Sequence, residues 1–314
     1  MIVSPEKLTF EDKKFSMIIY GSPGVGKTTL ALSAPKPILF DFDRGISRVS
    51  AAHRKDTSVC SSYEEVLQDA QSPAMADYET VVIDTGGSFI TFLQDWAMRS
   101  DPKVNRQKNG AISLKGYGAV KNEFTRFTNY IKDALNKNVI YVFHSVEGSD
   151  KDGNPVQRLM CEGATKNIVW TPCDFGGYVQ MIGNERNICF TPEQEFFAKG
   201  CHGISGHMVI PALTDSTPND FLTKLFEVAK ANISRENEAF APVRAQYETI
   251  MTEVRAILEA VTTPEEATEA LQEIKAMEHV LTSKKECSAL LAARTKELGY
   301  KLNRETGMYE AKEG

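Results

Sequence analysis

Short, unbroken apolar runs alternate with amphipathic stretches over the first half of the chain. Residues 15–20 (FSMIIY), 37–43 (PILFDFD), 78–85 (YETVVIDT) and 138–144 (NVIYVFH) read as strands buried on both faces. Between them, residues 27–34, 88–98 and 120–136 have helical spacing, the last long and amphipathic. Strands alternating with helices predict an α/β fold, a mainly parallel sheet flanked by helices. From Asp174 the texture changes. Residues 177–182, 187–190 and 196–199 are strand-like and separated by Gly, Asn and Pro, which predicts antiparallel edge strands.

The last third reads as helical. Thr217-Pro218 opens one helix, and Tyr247, Ile250, Met251, Val254, Ile257, Leu258 and Val261 form an apolar stripe on a second. Thr263-Pro264-Glu265-Glu266 and Ser283-Lys284-Lys285-Glu286 have the pattern of capping boxes, and Gly299 ends the last helix. The pattern thus predicts a core over residues 1–216 and a C-terminal helical region over 217–314, whose stripe forms its own core. Residues 235–314 carry 11 basic and 15 acidic side chains, which argues against a phosphate-binding tail.

Composition narrows the class without naming a function. The chain of 314 residues is 42% hydrophobic and 25% charged with a net charge of −6, ordinary for a globular protein and against a wholly basic surface. No apolar run has the length of a membrane span and the N-terminus lacks a signal-peptide core, so a cytoplasmic protein without a membrane partner is expected. The six cysteines show no framework spacing, so reduced thiols are expected. Cys173, Cys201, His202 and His207 include zinc-ligand types, but no CxxC pair accompanies them.

The chemistry enters at Gly21-Ser22-Pro23-Gly24-Val25-Gly26-Lys27-Thr28, a complete G-x-x-x-x-G-K-[ST] loop between a predicted strand and a predicted helix. Its backbone amides would cradle phosphates, with Lys27 on the β and γ groups and Thr28 on magnesium. With Thr29, residues 21–29 are the expected ATP-binding set. Asp84, ending the strand VVIDT, is the second expected magnesium-binding residue. Thr85 stands next to it, where ring-forming AAA+ ATPases carry a glutamate base, so the base must lie elsewhere. Asp41 and Asp43, at the end of the second strand, are the candidates.

The ordered set GSPGVGKTTLA, PILFDFDRG, VVIDT, KGYGAVKNEF, VIYVFHS, DFGGYVQMIG and FFAKG resembles the RecA-like recombinase core. Within it, the set resembles the phage-encoded RecA-like ATPases of single-strand annealing, the fourth group of Sak proteins, over roughly residues 12–215. That resemblance implies Asp43 as catalytic base, in place of the usual glutamate, and His144 as the sensor of the γ phosphate. It also implies Lys199 as a cation given to the neighbouring protomer's ATP site, with Arg186 a weaker candidate. All of this presupposes a homo-oligomer, filament or ring.

Residues 99–121 carry Arg99, Lys103, Arg106, Lys108, Lys115 and Lys121 against Asp101, a local charge of +5, where RecA-like proteins keep their first DNA loop. Residues 146–173 match the second loop, with Lys151, Arg158 and Lys166 as phosphate contacts and Trp170 as a stacking platform. The implied function is ATP- and Mg2+-dependent binding of single-stranded DNA, promoting annealing or strand pairing in phage homologous recombination within a bacterial host. Hydrolysis should be slow and DNA-stimulated, and a single-strand-binding protein is a further candidate partner. Two alternatives remain open at this point. One is an AAA+ type remodeller or helicase loader, the other a nucleotide-bound scaffold recruiting replication proteins.

Overall fold

The computed structural model describes residue 10, residues 12–161 and residues 169–311. The chain divides into a unit ending at Ile233 and another from Ser234.

In the first unit, the apolar runs become β1 (Ser16–Gly21), β2 (Pro37–Asp41), β4 (Thr80–Asp84) and β5 (Asn138–Ser149), joined by β3 (Thr57–Ser58) at one edge. The order is β3-β2-β4-β5-β1-β7-β8-β9, with β7 at Phe175–Ile182, β8 at Glu185–Cys189 and β9 at His207–Val209. Successive side chains alternate between two cores, as strand geometry requires. Ile18, Tyr20, Tyr141 and Phe143 pack on one side with Phe89, Phe124 and Phe127. Met17, Ile19, Ile140 and Val142 pack on the other with Phe175, Phe190, Leu222 and Phe226.

Helices α1 (Lys27–Ala31), α2 (Tyr63–Ala70), α3 (Gly86–Ser100), the short α4 (Pro102–Asn105) and α5 (Leu114–Asn129) accompany the strands. A π-helical turn, Tyr130–Ala134, continues α5. The mainly parallel sheet, its flanking helices, the antiparallel edge strands and the C-terminal helices are the expected architecture.

Three details of the sheet differ from the sequence expectation. Residues 177–182 lie in β7, which pairs parallel with β1 on one side and antiparallel with β8 on the other, and β9 pairs antiparallel with β8 in turn. Residues 196–199 form isolated bridges, Gln157 to Phe196 and Gly176 to Lys199, instead of a strand. The fourth core strand runs on beyond His144 to Ser149 and folds back through β6 (Pro155–Leu159).

The division also falls later than residue 216. Helix α6 (Phe221–Ala260) places Leu222, Leu225, Phe226, Ala229 and Ile233 in the core of the first unit. Asn219 Nδ2 and Thr223 Oγ1 bond the carbonyls of Thr29 and Ser33, tying this segment to the end of α1.

The second unit has its own apolar core. Ile250, Met251, Val254 and Leu258 of α6, with Val261 just beyond its end, pack with Ala267, Ala270 and Ile274 of α7 (Pro264–Ala276) and with Cys287 and Leu291 of α8 (Ser283–Glu297). A hairpin of β10 (Tyr300–Leu302) and β11 (Tyr309–Ala311) follows. Thr263 and Glu266 form the expected capping box. The second box is absent: α8 begins at Ser283, whose hydroxyl instead accepts from the Val280 amide, and the N-cap Thr282 makes no side-chain cap bond.

Candidate nucleotide site

The phosphate loop leaves β1 at Gly21 and turns into α1 at Lys27. Close packing fixes two of its glycines, Gly21 and Gly26. A Cβ on Gly21 would stand 2.3 Å from the Val179 carbonyl oxygen on β7, and Gly26 has φ +86°, where side chains are strained. The strand order sets β5 and β7 on either side of β1 and pairs Gly21 with His144. The loop therefore opens at the C-terminal ends of parallel strands, where ligands bind in such sheets.

Lys27 is buried and donates to the carbonyls of Gly21 at 3.0 Å and Ser22 at 2.8 Å. Its Nζ lies 3.4 Å from His144 Nδ1. Burial pushes the ammonium down to about 8, against the opposing pull of Asp84. Burial likewise pushes the Asp84 carboxyl up to about 6, with Asp43 and Asp41 adding to the rise and the Thr28 hydrogen bond and Lys27 opposing it. Thr28 Oγ1 donates to Asp84 Oδ2 at 2.5 Å, and the Asp84–Thr85 peptide is cis. Burial lowers the His144 imidazole below its ordinary range, and Lys27 and Arg48 lower it further.

The two second-strand acids separate by role. Asp41 is buried and accepts from the amides of Gly45 and Ile46 at 2.8 and 2.9 Å, so it caps the turn that follows. Asp43 lies beyond the strand and lines the cleft with Lys27, Thr28, Asp84, Thr85 and His144. Its carboxylate accepts a hydrogen bond from Ser88, which sits in the first turn of α3. Thr85 caps that helix, accepting from the Ser88 amide. The pair Thr85 and Ser88 is readable as a capping pattern, whereas Arg48, which also lines the cleft, belongs to no motif.

The donor set suits a magnesium nucleotide. A hydroxyl and a carboxylate already within hydrogen-bond distance are the oxygen ligands magnesium prefers, and Lys27 with the loop amides suits phosphate.

Lys199 and Arg186 both meet their own chain. Lys199 Nζ donates to the Cys173 carbonyl at 2.5 Å, and its backbone pairs with Gly176. Arg186, on β8, lies against the phosphate loop: a Cβ on Gly26 would stand 2.8 Å from its Cζ. Its Nε is buried with no hydrogen-bond partner among the described residues.

The basic segments are more ordered than a free loop. Arg99, at the end of α3, pairs with Glu64 at 2.9 Å; Lys103 lies on α4; and Arg106 bridges to Ile112 around the turn that holds Lys108. Lys115 and Lys121 lie on α5. Lys103, Arg106, Lys108, Lys115 and Lys121 are exposed. Lys151 stands at the exposed β5–β6 turn, and Arg158 of β6 is exposed and donates to the Ser149 carbonyl. Lys166 lies outside the described residues. Trp170 is not a free platform: it packs edge-on against Tyr20 and Phe197 and covers Gly176, where a Cβ would meet it at 2.0 Å.

The profile of the AAA_24 family, described as an AAA domain, matches residues 13–202. No curated relative matches the chain. Among solved structures, the KaiC-like protein PH0186 of Pyrococcus horikoshii OT3 is similar at 12% identity and a TM-score of 0.36, covering 63% of this chain and 89% of that one. The flagellar accessory protein FlaH of Methanocaldococcus jannaschii is similar at 11% identity and a TM-score of 0.32, covering 63% and 90%.

Proposed function

The chain belongs to the AAA_24 family of AAA domains, and from that premise we propose that it is a RecA-like ATPase that binds single-stranded DNA and promotes annealing in phage recombination. One observation carries the coupling of nucleotide to DNA. Strand β5 holds His144 beside Lys27 and continues, within the same strand, to the hairpin that bears Lys151 and Arg158. The His144 carbonyl also accepts from the Met160 amide at 2.8 Å, so both arms of the hairpin are tied to this residue.

Lys27 and the loop amides bind and orient the triphosphate. Thr28 and Asp84 would hold magnesium, which would supply charge neutralisation on the phosphates. Asp43, positioned by Ser88, accepts the proton of the attacking water. His144 reads the γ phosphate and shifts the β5–β6 hairpin between arrangements that differ in DNA affinity. The exposed lysines and arginines of residues 103–121 and of the hairpin neutralise the DNA backbone without reading bases. Lys199 would act between protomers of a multimer only after leaving the Cys173 carbonyl.

Fluorescence anisotropy with a labelled single strand tests the reading. Binding should strengthen with a non-hydrolysable ATP analogue and weaken steeply with salt. Each of Lys108→Ala, Lys115→Ala and Lys151→Ala should reduce the salt slope by about 0.7, the value for one phosphate contact on a single strand. Binding unaffected by nucleotide and by all three substitutions would remove the DNA part of the proposal.

A further inference from the structure

Away from the nucleotide cleft, three different metal-ligating side chains converge at one place: Cys189, Glu193 and His207. Cys189 ends β8, His207 opens β9, and the two are register partners across the antiparallel ladder. The chain between them, residues 190–206, leaves the sheet and returns, and it carries Glu193 close to its start. His207 Nε2 and Glu193 Oε1 are 2.5 Å apart, and Cys189 Sγ lies 3.7 Å from the same oxygen. All three donor atoms fall within 4.8 Å of one another.

A sulfur, an imidazole nitrogen and a carboxylate oxygen form a donor set of the zinc type, softer than the all-oxygen sets of magnesium and calcium. Bonds of about 2.0–2.3 Å in tetrahedral geometry place donors roughly 3.3–3.8 Å apart. The sulfur–oxygen span already meets that spacing. The nitrogen–oxygen pair must open by about 1 Å, a small rotation for side chains that are 36% and 43% exposed. Cys189 is itself fully buried, so the exposed His207 and Glu193 provide the way in.

We propose that Cys189, Glu193 and His207 form a transition-metal site of the zinc class, which closes the neck of the 190–206 excursion and leaves one coordination position to water. The excursion holds Phe196 and Lys199, whose backbones bridge to Gln157 and Gly176. Metal bound across its neck in the folded chain adds its binding free energy to stability and fixes where that segment meets the sheet. The set differs from the one suggested by residue type alone. Of that set only His207 takes part: Cys173 is buried with its thiol on the Val169 carbonyl, and the His202 ring packs on Phe15 and Phe175.

The full chain, stripped by a chelator and kept free of nucleotide and magnesium, is titrated with Co2+ and then with Zn2+. Saturable binding with sulfur-to-cobalt charge-transfer absorption, displaced by Zn2+, is expected, together with a Zn2+-dependent rise in Tm. Cys189→Ser should abolish the absorption band. His207→Ala and Glu193→Gln alter exposed side chains and leave the fold intact, and each should weaken binding by at least about tenfold. Absence of the band from the unmutated chain overturns the proposal, as does a band that survives Cys189→Ser. If the serine variant does not fold, a band unaffected by both His207→Ala and Glu193→Gln overturns it equally.

Discussion

The guanidinium of Arg186 rests on Gly26 in the phosphate loop of the same chain, with its Cζ 2.8 Å from where a Cβ would stand. A cation from β8 thus reaches the ATP site in cis, where the resemblance pointed to one supplied by a neighbour. Arg186→Ala should weaken ATP binding by about tenfold, the size of a lost charged hydrogen bond. Mixing Arg186→Ala with Lys27→Ala chains should restore no hydrolysis, and restoration would mean that the arginine serves the neighbour. Gly26→Ala should abolish binding and destabilise the fold by about 1–3 kcal/mol, because φ is +86° and the guanidinium fills the space. Calorimetry and thermal melts check both effects.

Asp43 is separable from nucleotide binding. Asp43→Asn should lower kcat by about 10²–10⁴-fold while ATP affinity stays within a few-fold. Ser88→Ala, which removes the hydroxyl that orients Asp43, should lower kcat less, and its effect should vanish in the Asp43→Asn background. Additive losses in the double variant would contradict a shared role.

The pH profile of kcat/KM for ATP should be bell-shaped. Asp84 holds magnesium only as a carboxylate, and burial raises its pKa to about 6, so the rate rises through that pH. Lys27 binds phosphate only as an ammonium, and burial lowers its pKa to about 8, so the rate falls above that pH. An alkaline limb that begins only near the ordinary lysine value of about 10.4 would contradict the burial argument.

The position of the division predicts which truncations fold. A chain ended after residue 233 keeps Leu222, Leu225, Phe226, Ala229 and Ile233 in the core and should unfold cooperatively. Ending it after residue 216 removes all five. At about 1.5–3 kcal/mol for each large apolar side chain, that loss rivals the whole stability of a domain. Circular dichroism melts distinguish the two, and equal Tm values would count against the later boundary.

What the sequence disclosed follows from what pattern encodes. Runs such as MIIY and VVID are buried on both faces, so period and length identify them as strands, and the phosphate loop identifies itself. The direction of β7 was not legible, because it depends on pairing with β1 across more than a hundred residues of chain. For the same reason residues 196–199 looked like a strand although only two isolated bridges form. Asp43 could be named from its place after β2, but Ser88 as its partner and Arg186 over Gly26 are tertiary contacts that no local spacing announces. The charge count of residues 99–121 likewise could not show that Arg99 is already paired with Glu64.

The central claim is that nucleotide turnover answers to single-stranded DNA. The most direct test measures ATP hydrolysis alone, with single strands and with duplex, at matched salt. Stimulation by single strands, absent in Lys27→Ala with the fold intact, is the predicted result; hydrolysis indifferent to DNA would contradict the account and point to a remodelling ATPase instead.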